Sequence, residues 1–396
     1  MKMKKTVIAS IILGLFLCSL LPAQNSTAKE EYIKAMTASD ADQRASLLKD
    51  WLSKYGGKGQ ENENFANATL CVLPYKGKTP AETIKYGERA LELGNLDDST
   101  KCQVLINLAT HLTSQGLNLD KAVSYSAQVV RTAQTAKKNA PDSQSANAWN
   151  KMIGAGYYTQ AQAMKKAGNY KGSIENYVSS YNILKNKQII SEVASLGKTL
   201  YDSKKYADAA QAFKVTNDIL NNFASTSFYA KALHRCGKKD EALTYYKQAF
   251  SKQKNGEVAY NIGILLAEKT EKDPSFIDET IEYLLYASFL SQTHSKNAMK
   301  LAEGLYFSTK SSYNDKVKEL AAKAKELEKL TTAFNEKFGE KNEEDLTDEE
   351  KKQVEEMRKE IASLQENINK IQEEQKAELD KFNALIEQIK KKLGIE

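Results

Sequence analysis

Residues Val193 to Phe250 write one helical hairpin twice. The first copy runs Val193…Leu196-Gly197…Leu200, then Lys205-Tyr206…Ala209…Phe213…Thr216; the second runs Tyr229-Ala230…Leu233…Gly237, then Lys239…Ala242…Tyr246…Ala249. Gly197 to Ala230 and Ala209 to Ala242 are each 33 residues apart. Apolar residues at steps of three and four predict amphipathic helices. Small residues at matching points let the two helices of a hairpin approach closely, and the larger Leu, Tyr and Phe side chains fill the space between hairpins.

The same pattern extends outward. A preceding pair reads Ala161…Met164…Gly168-Asn169-Tyr170…Ser173…Tyr177…Ser180, with Ser173 36 residues before Ala209. Before it come Val104–Ser114 with Lys121–Ala136, and Phe65–Leu73 with Thr83–Leu93; Lys137–Ser145, which contains Pro141, reads as a polar connection. Nearest the N-terminus, Ala28–Thr37 precedes a helix capped by Ser39-Asp40, with Leu47, Leu48, Trp51 and Leu52 on one stripe. On the other side, Ile262-Gly263…Leu266 and Thr280…Leu284…Ala287 form a unit with five extra turn residues, followed by a last helix at Asn297–Phe307. A helix–turn–helix repeat of this period resembles the tetratricopeptide repeat (TPR), here over roughly residues 65–310. The resemblance implies an all-α, right-handed superhelix of helical hairpins and a binding activity, with no ligand specified.

From Tyr313 the composition changes. Val317, Leu320, Ala324, Leu327, Thr331, Phe334 and Phe338 alternate steps of three and four, then Gly339 interrupts. Thr347 and Glu350 form a capping box that restarts a helix. Its stripe runs Val354, Met357, Ile361, Leu364, Ile368, Ile371, Gln375, Leu379, Phe382, Ile386, Ile389, Leu393, with a stutter at Gln375. These residues predict a C-terminal coiled-coil helical hairpin whose second helix outruns the first. Apolar stripe is therefore left to pack on the repeats, on a second copy or on a partner. The domain reading is 1–23 signal peptide, 24–64 N-terminal helical hairpin, 65–312 TPR-like array and 313–396 charged coil.

Met1–Lys5 is basic, Thr6–Leu21 is apolar, and Leu21-Pro22-Ala23 precedes Gln24 as a cleavage site would. The segment resembles secretory signals of Gram-negative bacteria of the Bacteroidetes type, which implies the periplasm. No later stretch is long enough to cross a bilayer. Cleavage would lower the net charge from +6 to +3, which argues against general nucleic-acid binding. Residues 313–396 carry 17 Lys and Arg against 22 Asp and Glu, a net of −5, which leaves +8 on 24–312. A basic array is thus joined to an acidic hairpin, and the two can dock or each attract its own partner. Cys71, Cys102 and Cys236 read as small buried apolar residues; a Cys71–Cys102 bridge between neighbouring hairpins is the alternative.

Nothing in the chain points to catalysis. It lacks a nucleophile motif, a phosphate loop and a His-x-x-x-His pair, so no cofactor and no metal is expected. Gly154-Ala155-Gly156 lacks a preceding strand and a third glycine, and reads as small residues at a helix start. The first helix of each hairpin lines the concave face of such an array. Reading that face gives Tyr158, Gln162, Lys165, Lys198, Tyr201, Lys231, His234, Arg235 and Tyr260: cations interleaved with tyrosines, with Asp202 and Glu268 at the edge. That surface suits a protein or peptide partner, acidic in character. It departs from the two-carboxylate clamp of chaperone-tail-binding TPRs, so that ligand is not carried over. The expectation is a non-catalytic periplasmic scaffold. Its alternatives are a structural component that forms homo-oligomers through the coil, or a glycan-binding accessory protein using the tyrosines.

Overall fold

The computed structural model describes residues 26–395, and every regular element among them is a helix. The expected signal peptide lies outside the described residues. By packing the chain divides into two compact units, one ending at Ile189 and one beginning at Ile190.

The first unit holds α1 (Ser26–Thr37), α2 (Ala41–Tyr55), α3 (Glu63–Val72), α4 (Pro80–Leu93), α5 (Asp98–Gln115), α6 (Leu119–Lys138), α7 (Ser143–Lys166) and α8 (Tyr170–Leu184). Side-chain caps set most of the starts: Asp40, Asp97, Asn118 and Asp142 each accept a hydrogen bond from the backbone N–H three residues on. Thr79 and Glu82 form a full capping box at α4, with Pro80 at its first position. Each helix packs on the next, and α3 on α5 and α5 on α7 also touch, as stacked hairpins require. Trp51 anchors the first pair: it is 2% exposed and its indole N–H donates to the Ala28 carbonyl at 2.7 Å. Cys71 and Cys102 are buried free thiols, both pushed up to about 12 by burial.

Two readings are corrected in α7. The helix starts at Ser143, capped by Asp142, so the polar connection is shorter than the sequence suggested. Gly154 and Gly156 then lie in mid-helix and not at its start. A Cβ on Gly154 would meet Leu184 at 2.5 Å, and one on Gly156 would meet Val130 at 2.9 Å. The helix is clamped on two sides, and only glycine permits both approaches.

The second unit holds α9 (Lys187–Asp202, which begins at the boundary), α10 (Tyr206–Leu220), α11 (Phe223–Arg235), α12 (Lys239–Lys252), α13 (Gly256–Thr270), α14 (Ile277–Leu290) and α15 (Ser295–Ser308). The duplicated stretch is α9–α12. Gly197 lies against Phe213, where a Cβ would come within 2.9 Å, and Ala230 and Ala242 are wholly buried. Gly263, one more period on, lies against Leu284 in the same way at 2.7 Å.

Two long helices complete the unit, α16 (Ser311–Phe338) and α17 (Asp348–Leu393), packed on each other. At 46 residues α17 spans about 69 Å. Its covered face runs Val354, Met357, Ile361, Leu364, Ile368, Ile371, Gln375, Glu378 and Phe382 in alternating steps of three and four, then Leu385 with Ile386, and Ile389. The expected stutter is therefore absent: Glu378 takes the inner position and Leu379 is 42% exposed. On α16 the covered face is Tyr313, Lys316, Leu320, Lys323, Leu327, Leu330, Phe334 and Phe338, while Val317, Ala324 and Thr331 face outward. The end of α17 that outruns α16 is covered within the chain. Phe382 packs between Tyr306 and Phe307 of α15, with ring centres 4.9 and 5.7 Å away, and Lys392 pairs with Glu282 of α14 at 2.7 Å.

Candidate functional site

Inside the second unit, α9, α11 and α13 frame an open cleft of about 670 Å³. On α9 the stripe Ile190, Val193, Leu196, Leu200 is buried, which leaves Lys198 and Asp202 outward and Tyr201 half-buried. On α11, Asn222 and Ser225 cap each other reciprocally and fix the helix start. Tyr229, Ala230 and Leu233 go to the core, and Phe228, Lys231 and Arg235 share the opposite face at steps of three and four. On α13, Glu257 and Asn261 line the cleft one turn apart. The floor adds Phe213 of α10 and Tyr246 of α12, both nearly inaccessible, and Lys239 stands at the rim.

The electrostatics are mixed. Lys231 pairs with Glu257 at 2.9 Å and Lys239 with Glu268 at 2.6 Å. Arg235 lies with its guanidinium carbon 5.9 Å from the Tyr206 ring centre. Its charged form is held first by a hydrogen bond donated to the Tyr201 hydroxyl, then by the surrounding tyrosines. Tyr201 and Tyr206 meet edge to face at 5.3 Å, which fixes the ring Arg235 rests on. Among the described residues no carboxylate lies within ion-pair distance of Lys198. His234 stands edge-on to Tyr246 at 6.0 Å, and burial pushes its pKa below the usual value, more than Glu268 pulls it back. It is neutral at pH 7. Burial raises the Tyr246 phenol, which therefore keeps its proton.

Five of the nine residues chosen from sequence line this cleft: Lys198, Tyr201, Lys231, His234 and Arg235. Tyr260 does not; its ring stacks flat on His294, 4.1 Å away. By the 33-residue period Tyr260 is in register with Ser227, which is buried, whereas its neighbour Asn261 is in register with Phe228. Tyr158, Gln162 and Lys165 belong to α7 in the first unit. There Tyr158 meets Tyr177 edge-on at 5.7 Å, and the Lys165 ammonium lies 5.9 Å from the same ring. Sequence reading missed Phe213, Phe228, Lys239, Tyr246, Glu257 and Asn261 as cleft residues. For Phe228 and Asn261 the signal was present in the repeat phase.

The lining offers charge, hydrogen-bond donors and aromatic surface, and no nucleophile paired with a base. Among the described residues no group of His, Cys, Asp and Glu is arranged to hold a metal, and no helix is long and apolar enough to cross a membrane.

No family model matches the chain, and no curated protein matches it. Solved structures similar to it include the apo form of RapI, at 13% identity and a TM-score of 0.35 over 72% of this chain and 98% of that one. Another is a tetratricopeptide repeat protein from Parabacteroides merdae, at 13% and 0.32 over 70% and 98%. A third is YrrB, a TPR protein described as having an unusual peptide-binding site, at 17% and 0.28 over 54% and 97%. At these scores the likenesses add nothing to what the chain's own geometry carries.

Proposed function

We propose that this chain is a non-catalytic, exported scaffold that binds a protein or peptide partner through the cleft framed by α9, α11 and α13. One observation carries the reading: Lys198, Tyr201, Phe228, Lys231 and Arg235, from helices one repeat apart, converge on a single open concavity. An isolated basic residue on a helix is ordinary solvated surface. Several of them around a partly aromatic floor form the mixed apolar and polar lining typical of a binding site. The basic and apolar segment at Met1–Leu21 supports export, and the periplasm as destination is part of the proposal.

A photo-crosslinking residue at position 228 in the full chain, expressed in cells, tests the binding role. The expected result is a discrete crosslinked protein that is absent when the same group replaces Leu117, an exposed apolar residue of the first unit. Identical crosslinking from both positions, or none from 228, would sink it. Intact mass of the secreted protein tests export: a chain beginning at Gln24 is expected, and retention of Met1 counts against it.

A further inference from the structure

Of the four cations lining the cleft, two are already neutralised by carboxylates of this chain, Lys231 by Glu257 and Lys239 by Glu268. Lys198 and Arg235 are not: no carboxylate lies within ion-pair distance of the first among the described residues, although Asp202 lines the cleft one turn further along α9, and the second is held by Tyr201 and Tyr206 rather than by a carboxylate. The cleft also offers accessible apolar surface. Phe228 is 43% exposed, although its ring is fixed in place by stacking on buried Phe213 at 5.3 Å and 17°. A lone exposed aromatic is ordinary surface. This one stacks on a buried ring, lines a concavity and has the Lys231 ammonium beside it.

Glu257 adds a second feature. It is the acidic residue of α13 within the cleft, with its side chain 56% exposed, and it reaches across to Lys231, whose ammonium also sits 5.9 Å from the Phe228 ring. An incoming carboxylate meets repulsion from Glu257 and competition for Lys231. We propose that the cleft reads a short acidic peptide segment through an aromatic side chain packed on Phe228 and carboxylates on Lys198 and Arg235, with Glu257 as a built-in competitor that limits the affinity.

This rests on the binding role proposed above and goes beyond it by naming the ligand chemistry and a residue that works against it. A volume of about 670 Å³ is of the size that encloses a small ligand, so a few residues of peptide are engaged and not a folded domain. Large rigid side chains add contact area with few rotors to freeze, which favours an aromatic anchor in the ligand.

The test uses the full chain and fluorescein-labelled synthetic nonapeptides, followed by anisotropy at low salt. One peptide carries Phe flanked by Glu on both sides, the second has Lys in place of Glu, and the third has Ala in place of Phe. The first should bind at least about tenfold more tightly than either of the others. Glu257→Gln should tighten the first peptide by about threefold to tenfold, a gain that a merely structural residue does not give. Arg235→Gln with Lys198→Gln should weaken it by a similar factor. Preference for the Lys or Ala peptide, or an affinity that Glu257→Gln leaves unchanged or lowers, overturns the inference while leaving a peptide-binding cleft standing. Binding of none of the three overturns it as well, and crosslinking from position 228 then decides whether the cleft binds a partner at all.

Discussion

Gly197, Ala230 and Gly263 stand 33 residues apart in turn, and the structure gives the reason for their size. Gly197 and Gly263 each mark a point where two helices of a hairpin come too close for a larger side chain, and Ala230 is wholly buried. Valine at 197 must displace the Phe213 ring and Ala212, which lie 2.9 and 3.1 Å from the position of a Cβ. Gly197→Val should therefore cost about 1–3 kcal/mol, measured by urea unfolding; an unchanged midpoint would show that the contact can relax. His111 and His234 carry a second residue-scale prediction. Burial lowers the pKa of both below the usual 6.5. Between the folded-state pKa and 6.5 the unfolded chain holds the proton and the folded chain does not, so stability falls as pH drops below about 6.5. His234→Gln should remove part of that slope, in a window above the one where carboxylates titrate. Equal slopes in both proteins would contradict it. At this scale the repeat was legible wherever a small residue recurred in phase. Tyr260 was misread because helical spacing alone leaves a choice of faces, and the rotation of α13 is set by the contact of Gly263 with Leu284.

At the scale of elements, the hairpins follow from the sequence because caps, small residues and apolar steps agree, as at Asp97 and Gly116 around α5. The coil was harder for a physical reason. On α16, Leu320, Leu327 and Phe334 belong to two overlapping stripes, one with Val317 and Ala324, the other with Tyr313, Lys323 and Leu330. The partner helix decides between them, and α17 offers a seam with Glu378 inside. That carboxylate accepts from the Tyr306 hydroxyl at 3.3 Å and pairs with Lys381 at 2.9 Å, which makes its inner position tolerable. Two truncations separate the readings. Leu379→Ala should cost less than about 0.5 kcal/mol, and Phe382→Ala, which is 3% exposed against Tyr306 and Phe307, about 3 kcal/mol. Comparable losses would restore the stuttered seam.

At the scale of the whole molecule, the two compact units predict unfolding that is not a single all-or-none step. Removing residues 340–396 strips α17 from α14 and α15, uncovering Tyr306 and Phe307. Calorimetry should then show one transition moved to lower temperature and the other unchanged. A uniform shift of the whole profile would contradict the division. The charge balance, −5 on residues 313–396 against +8 on 24–312 of a mature chain, allowed the acidic hairpin either to dock on the basic array or to attract its own partner. In the second unit α17 packs on α14 and α15, and the residues lining the cleft come from α9 to α13. Within the second unit α17 therefore does not line the cleft. The most direct measurement is the yield of partner crosslinked from position 228 in the full chain, compared with the same chain carrying Lys198→Glu and Arg235→Glu. The account predicts a loss of at least about tenfold, about 1 kcal/mol per site, with the helical content unchanged. An equal yield from the charge-reversed chain would contradict it.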